Sequence, residues 1–154
     1  ERLMAKGDGK ALETVLIGDY IRMVHIHQDD FRKFFRVLAT TENFPLVYHC
    51  VAGKDRTGLA TVFLLTALGA GMADIRENYM ETNIRMRGVT DRIIRRATED
   101  GMKGEILRPL LEVRKEYLDA ALAEIGKFSG SLESYVSEVL QADTEVLRAR
   151  YLTD

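Results

Sequence analysis

Apolar positions near the start of the chain recur at the helical period. Leu12, Val15, Leu16, Tyr20, Met23 and Val24 fall on one stripe and predict a helix over residues 12–24, although residues 14–17 alone would also suit a short strand. Phe31, Phe34, Phe35 and Leu38 form the apolar face of a second helix over residues 29–39. Asp29 and Asp30 lie in its first turn, where the helix dipole favours carboxylates. The pattern then changes character. Pro45 interrupts the preceding segment, and Leu46, Val47 and Tyr48 make a short apolar run that predicts a buried strand. Residues 57–70 are apolar on nearly every side and run into Gly69 and Gly71, as expected of a helix enclosed by protein.

Helical patterns continue to the end of the chain. Asp74 opens a short helix through Thr82, Thr90 caps another through Thr98, and Pro109 occupies the first position of a longer one carrying Leu111, Leu118, Leu122 and Ile125 and stopping before Gly126. Ser131 and Asp143 are placed to cap two more. A buried strand needs neighbours for its backbone groups, and residues 45–49 have no evident ones. Either residues 14–17 and 23–27 supply them, or the rest of the sheet lies outside this chain.

Composition narrows the functional classes. With 154 residues, 46% of them apolar and 30% charged, the chain has the size and balance of one globular domain. Its net charge of −2 gives no global field for nucleic acid or a membrane, so any basic site is local. The single cysteine excludes an internal disulfide. The charged N-terminal stretch has no signal-peptide pattern, and the longest apolar run, residues 59–70, is shorter than the roughly 20 residues a spanning helix needs. A cytoplasmic location is the default expectation, with secretion left open because the chain starts without methionine.

That one cysteine, Cys50, stands at the end of the predicted strand, and the loop after it runs to Arg56 before a helix opens at Thr57. Successive backbone N–H groups in such a turn form an anion-binding nest, which the helix N-terminus reinforces. Gly53 permits the tight turn, Arg56 offers a planar fork for two phosphate oxygens, and Lys54 adds charge. The same field lowers a thiol from its free pKa of about 8.5 toward the thiolate range. A thiolate beneath a bound phosphate is placed for in-line attack on phosphorus, with backbone amides and Arg56 meeting the equatorial charge. A lone cysteine at a strand end is usually an inert hydrophobe; cysteine, five residues, then arginine, between an apolar run and a buried helix, reverses that balance. A nucleotide P-loop is excluded because Tyr48 stands where its first glycine belongs and Asp55 follows the lysine. An arsenate-reductase type thiol relay would need further cysteines.

The stretch HCVAGKDRTG, residues 49–58, resembles the signature of the cysteine-dependent phosphatases. Its Gly-Lys-Asp-Arg-Thr-Gly form resembles the bacterial tyrosine phosphatases that also act on phosphoinositides. The flanking NFPLVYHC, the ENYMETN after the buried helix, and YLDAALAEIGKFSGSLESYVSEVL with VLRARYL are similar to the C-terminal half of that family. The resemblance implies an α/β fold, a cysteine-phosphatase sheet flanked by helices, with this chain mostly helical. It lacks the N-terminal strands, so residues 1–154 are expected to be the C-terminal part of a single domain.

The resemblance makes Cys50 the nucleophile and Arg56 the phosphate ligand, with the backbone of Val51, Ala52, Gly53, Lys54, Asp55 and Arg56 as cradle. His49 orients the loop and Thr57 assists sulfur as leaving group. The Lys-Asp-Arg form implies Asp55 as proton donor; Asp29 and Asp30 are rivals that equally suit a helix N-terminus. The expected activity is hydrolysis of phosphotyrosine, with phosphoinositides as a further class, Lys54 serving their extra phosphates, and neither metal nor cofactor. The partners implied are a phosphorylated protein or a phosphoinositide, with transient membrane-surface contact and no nucleic acid. The alternative is a phosphate-binding module without turnover. Arg92, Arg95 and Arg96 share a helical face, which reads as a solvated surface; a basic flap over the site is the minority reading.

Overall fold

The computed structural model describes residues 9–40, 42 and 45–152. Residues 1–8, the Asn43 and Phe44 of the NFPLVYHC stretch, Thr41 and residues 153–154 lie outside that set. Helix α1 spans Gly9–Ile26 and α2 Gln28–Thr40; an extended segment then leads through residues 45–50 into the cysteine loop. Helix α3 is Asp55–Leu68, α4 Met72–Glu99, and after a 3-10 turn at Gly104–Leu107 come α5, Arg108–Leu111, and α6, Lys115–Ser129. A short α7, Leu132–Ser134, continues into a π-helical turn at Tyr135–Val139, and α8, Thr144–Tyr151, closes the described chain.

The expected α/β sheet is not present: among the described residues there is no strand. Of its candidate partners, residues 14–17 and 23–27, all but His27 lie in α1, where the spacing of Leu12, Leu16, Tyr20 and Val24 buries one continuous stripe, and His27 is the turn that follows. Residues 45–50 pair with no strand among the described residues, so their backbone forms no ladder, and the Cys50 N–H goes to a side chain instead. They keep a strand's side-chain alternation all the same. Leu46 and Tyr48 pack on the helical core, whereas Val47 is 84% exposed. The core is therefore helix on helix.

Helix α3 is the centre of that core. Leu59, Val62 and Phe63 are enclosed, with Phe63 edge-on to Phe31 of α2 at 5.0 Å and tilted against Tyr135 at 5.3 Å. Helix α1 packs along α6, and α3 packs against α4 and α8. Gly69, at φ 90°, ends α3 in the left-handed conformation that glycine adopts without a Cβ penalty.

Two expected helices, residues 74–82 and 90–98, are one. Nothing between them breaks a helix, and Thr90 is buried on the inner face of α4 instead of capping a new start. The helix expected from Pro109 is likewise divided, because Glu112 turns extended before α6 begins, and α6 runs through Gly126 to Ser129. The predicted caps at Ser131 and Asp143 are present: their side chains accept from the backbone N–H groups of Ser134 and Val146.

Candidate active site

The cysteine loop is assembled between the extended segment and the first turn of α3. Gly53 sits at φ 64°, which reverses the chain so that the amides on either side can face inward. The Cys50 backbone N–H donates to Thr57 Oγ1 at 2.8 Å, tying the start of the loop to the helix. His49 Nδ1 donates to the Cys50 carbonyl at 3.0 Å, while Tyr48 and Thr61 share a hydrogen bond at 2.9 Å beneath it.

Burial acts against ionisation of Cys50, but the Thr57 hydroxyl and the backbone N–H groups of Thr57, Lys54 and Gly53 outweigh it and bring the thiol down to about 7. Half of the sulfur is thus thiolate near neutral pH. Cys50 shares a cavity of about 300 Å³ with Arg56, Thr57 and His49, walled by Phe31, Phe34 and Tyr48 and reached by Asp30. The Arg56 side chain is exposed and has no ion-pair or hydrogen-bond partner among the described residues, so its fork remains open to a ligand.

Lys54 is placed otherwise than its sequence context implied. Its side chain is only 3% exposed, and Nζ donates to the carbonyls of Leu110 and Glu112 while lying 3.4 Å from Asp55 Oδ1. The ammonium fastens the loop to the end of α5 and to the segment that follows it, and Lys54 serves the sulfur through its backbone amide. That segment is itself clamped by Asn83 of the ENYMETN stretch: its amide donates to the Val113 carbonyl at 2.9 Å and its carbonyl oxygen accepts from the Val113 N–H at 2.8 Å.

The three carboxylate candidates are separated in space. Asp55 Oδ1 accepts from the buried Tyr20 hydroxyl at 2.9 Å. Asp30 lines the Cys50 cavity and holds His27 Nδ1 at 2.8 Å. Asp29 faces solvent in an ion pair with Arg32 at 2.6 Å. Arg92, Arg95 and Arg96 lie on the outer face of α4, which Thr90, Ile94 and Ala97 anchor to the core; Arg96 pairs with Asp100, and none lines the Cys50 cavity. Tyr20, Tyr79 and His27 were not foreseen as site residues. Tyr79 lies in ENYMETN, which was a signal for it; Tyr20 looked like any core position of a helical stripe.

A thiol of lowered pKa in a turn at a helix N-terminus, with an open arginine beside it, is an arrangement chemically able to receive an oxyanion. The profile of the tyrosine phosphatase family matches residues 3–153, and the chain belongs to that family. It is 42% identical over 107 residues to a protein of Cupriavidus necator whose name assigns it provisionally to the tyrosine-protein phosphatases, a match covering 70% of this chain and 39% of that protein. It is 30% identical over 117 residues to the triple specificity protein phosphatase PtpB of Mycobacterium tuberculosis, covering 69% of this chain and 42% of that one. A tyrosine-protein phosphatase of Nostoc commune is 35% identical over 60 residues, 39% of this chain and 20% of its own length. The chain thus spans less than half the length of these relatives. No helix among the described residues is long and apolar enough to cross a membrane.

Proposed function

We propose that this chain carries the catalytic loop of a phosphomonoester hydrolase directed at phosphotyrosine and working through a phosphocysteine. The observation that carries the reading is a Cys50 thiol brought to about 7 in the same cavity as the open Arg56. The phosphate seats on the backbone N–H groups of residues 51–56 and on the Arg56 fork. Sγ attacks phosphorus in line, the P–O bond to the aryl group breaks, and the departing phenolate takes a proton from Asp55. In the second step water attacks the phosphocysteine and gives its proton to the Asp55 carboxylate. The P–S bond breaks, and the Thr57 hydroxyl and loop amides receive the thiolate. The products are the phenol and inorganic phosphate, with no metal or cofactor in either step.

Phosphotyrosine suits the cavity because Phe31, Phe34 and Tyr48 offer aromatic walls for an aryl ring. Phosphoinositides follow as a second class from the family resemblance of the Gly-Lys-Asp-Arg-Thr-Gly stretch. With the Lys54 ammonium held by carbonyls, their additional phosphates fall to other cations.

Burst kinetics with an aryl phosphate on the complete protein test the reading. The expected result is a stoichiometric burst of phenol and a Cys50→Ser variant that binds substrate and releases no product. Normal turnover by Cys50→Ser would sink the cysteine mechanism, and phosphate binding without a burst in the parent protein would leave a binding module. Asp55→Asn and Asp30→Asn separate the two carboxylates: only loss of the proton donor should cost activity in proportion to how poor the leaving group is.

A further inference from the structure

Asp55 is held by a chain of buried phenols. The Tyr79 hydroxyl of α4 donates to the Tyr20 hydroxyl of α1 at 2.8 Å, and Tyr20 donates to Asp55 Oδ1 at 2.9 Å. Both tyrosine side chains are buried, with their rings edge-on at 6.5 Å, and Tyr117 of α6 packs on Tyr20 at 5.5 Å. The arrangement depends on Gly58, the last glycine of the loop motif: a Cβ there would meet the Tyr79 ring at 3.2 Å. Oδ1 also faces Lys54 Nζ at 3.4 Å, whereas Oδ2 has no partner among the described residues.

We infer that Tyr20, oriented by Tyr79, is a positioning residue for Asp55: by occupying Oδ1 it fixes the carboxyl plane and leaves Oδ2 as the oxygen that carries the proton to and from the reacting phosphate ester. The inference rests on Asp55 being the proton donor proposed above. A carboxyl without such a partner rotates freely about its last bond, so its proton is aimed at the leaving oxygen only part of the time. The phenols are suited to the task because they stay protonated. Burial, then the Tyr79 and Asp55 charges, raise Tyr20 far above the ordinary tyrosine range, and burial raises Tyr79 as well. The titratable groups facing Asp55 are Tyr20 from α1, Tyr79 behind it from α4, Tyr117 from α6 and Lys54 from its own loop. Among them Tyr20 makes the short hydrogen bond to Asp55, at 2.9 Å, while Lys54 Nζ stands in an ion pair at 3.4 Å.

The test is Tyr20→Phe, which removes one oxygen and keeps the packed ring, in the complete protein. It is compared on phenyl phosphate, a poor leaving group, and p-nitrophenyl phosphate, an activated one. The expected result is a fall in kcat of about tenfold on phenyl phosphate, part of the roughly 10²–10⁴-fold that a positioned acid supplies, with little change on p-nitrophenyl phosphate or in KM. Tyr79→Phe should show the same leaving-group dependence to a smaller extent, and serves if Tyr20→Phe does not fold. In an Asp55→Asn background Tyr20→Phe should add no further loss. Equal losses on both substrates, a loss that falls on KM instead of kcat, or additive losses in the double variant would overturn the positioning role while leaving Asp55 in place. An Asp55→Asn variant without leaving-group dependence would instead overturn the proton-donor reading beneath it.

Discussion

Replacing Thr57 by valine tests how the fold ionises its only cysteine. Thr57 Oγ1 accepts the Cys50 backbone N–H at 2.8 Å, and its hydroxyl is the foremost of the groups that lower the thiol. Valine keeps the branched shape and removes both interactions. A hydrogen bond to a charged group is worth about 1.5–3 kcal/mol, and about 1.36 kcal/mol corresponds to one pH unit. Because Cys50 is partly exposed, solvent screening favours the lower end of that range. The thiol should therefore move from about 7 to about 8, and the thiolate fraction at pH 7 from about a half to about a tenth. The rate of alkylation by iodoacetamide against pH reports this directly, since no other cysteine contributes. Turnover at pH 7 should fall about fivefold in parallel, and Thr57→Ser, which restores the hydroxyl, should recover both. If the alkylation midpoint of Thr57→Val stays within about 0.3 units of the parent, the backbone amides alone set the ionisation and the hydroxyl's role is disproved.

Three further outcomes follow from the same geometry. Because the folded thiol lies near 7, below its unfolded value, its contribution to stability is fully present above the unfolded pKa and is lost as pH falls through 7. Urea midpoints of the parent should accordingly rise relative to Cys50→Ser between pH 7 and pH 9, and parallel curves would refute this. Gly53→Ala meets no atom within 4 Å but must hold a side chain at φ 64°, a strain of roughly 1–2 kcal/mol. It should lower thermal stability by that amount and weaken phosphate binding, whereas Gly53→Ala indistinguishable from the parent would show that the loop relaxes. Tyr135→Phe removes a buried donor to the Val24 carbonyl at 2.7 Å and should cost about 1–3 kcal/mol in urea unfolding; a loss below half of that would mean another donor replaces it.

The candidate site was legible in ten consecutive residues because it is local: its amides, its cysteine and its arginine are placed by one turn and one helix start. The helices of the core were legible for a similar reason, since Leu12, Leu16, Tyr20 and Val24 repeat at the period of the element that buries them. The apolar run at residues 46–48 misled in one respect. Short-range pattern reports side-chain alternation, which the segment has, but a sheet also needs a partner strand, and that is a relation between distant segments.

By itself, then, the order of residues determined the turn from Cys50 to Arg56 at the start of α3, the cysteine within it and the helical stripes of the core. The tertiary structure alone decided the rest. It turned Lys54 from the ligand side onto the carbonyls of Leu110 and Glu112, brought Asp30 to the Cys50 cavity, and joined Tyr79 and Tyr20 to Asp55. Each of these contacts spans tens of residues of chain, and only the packing of one helix on another fixes which side chains meet.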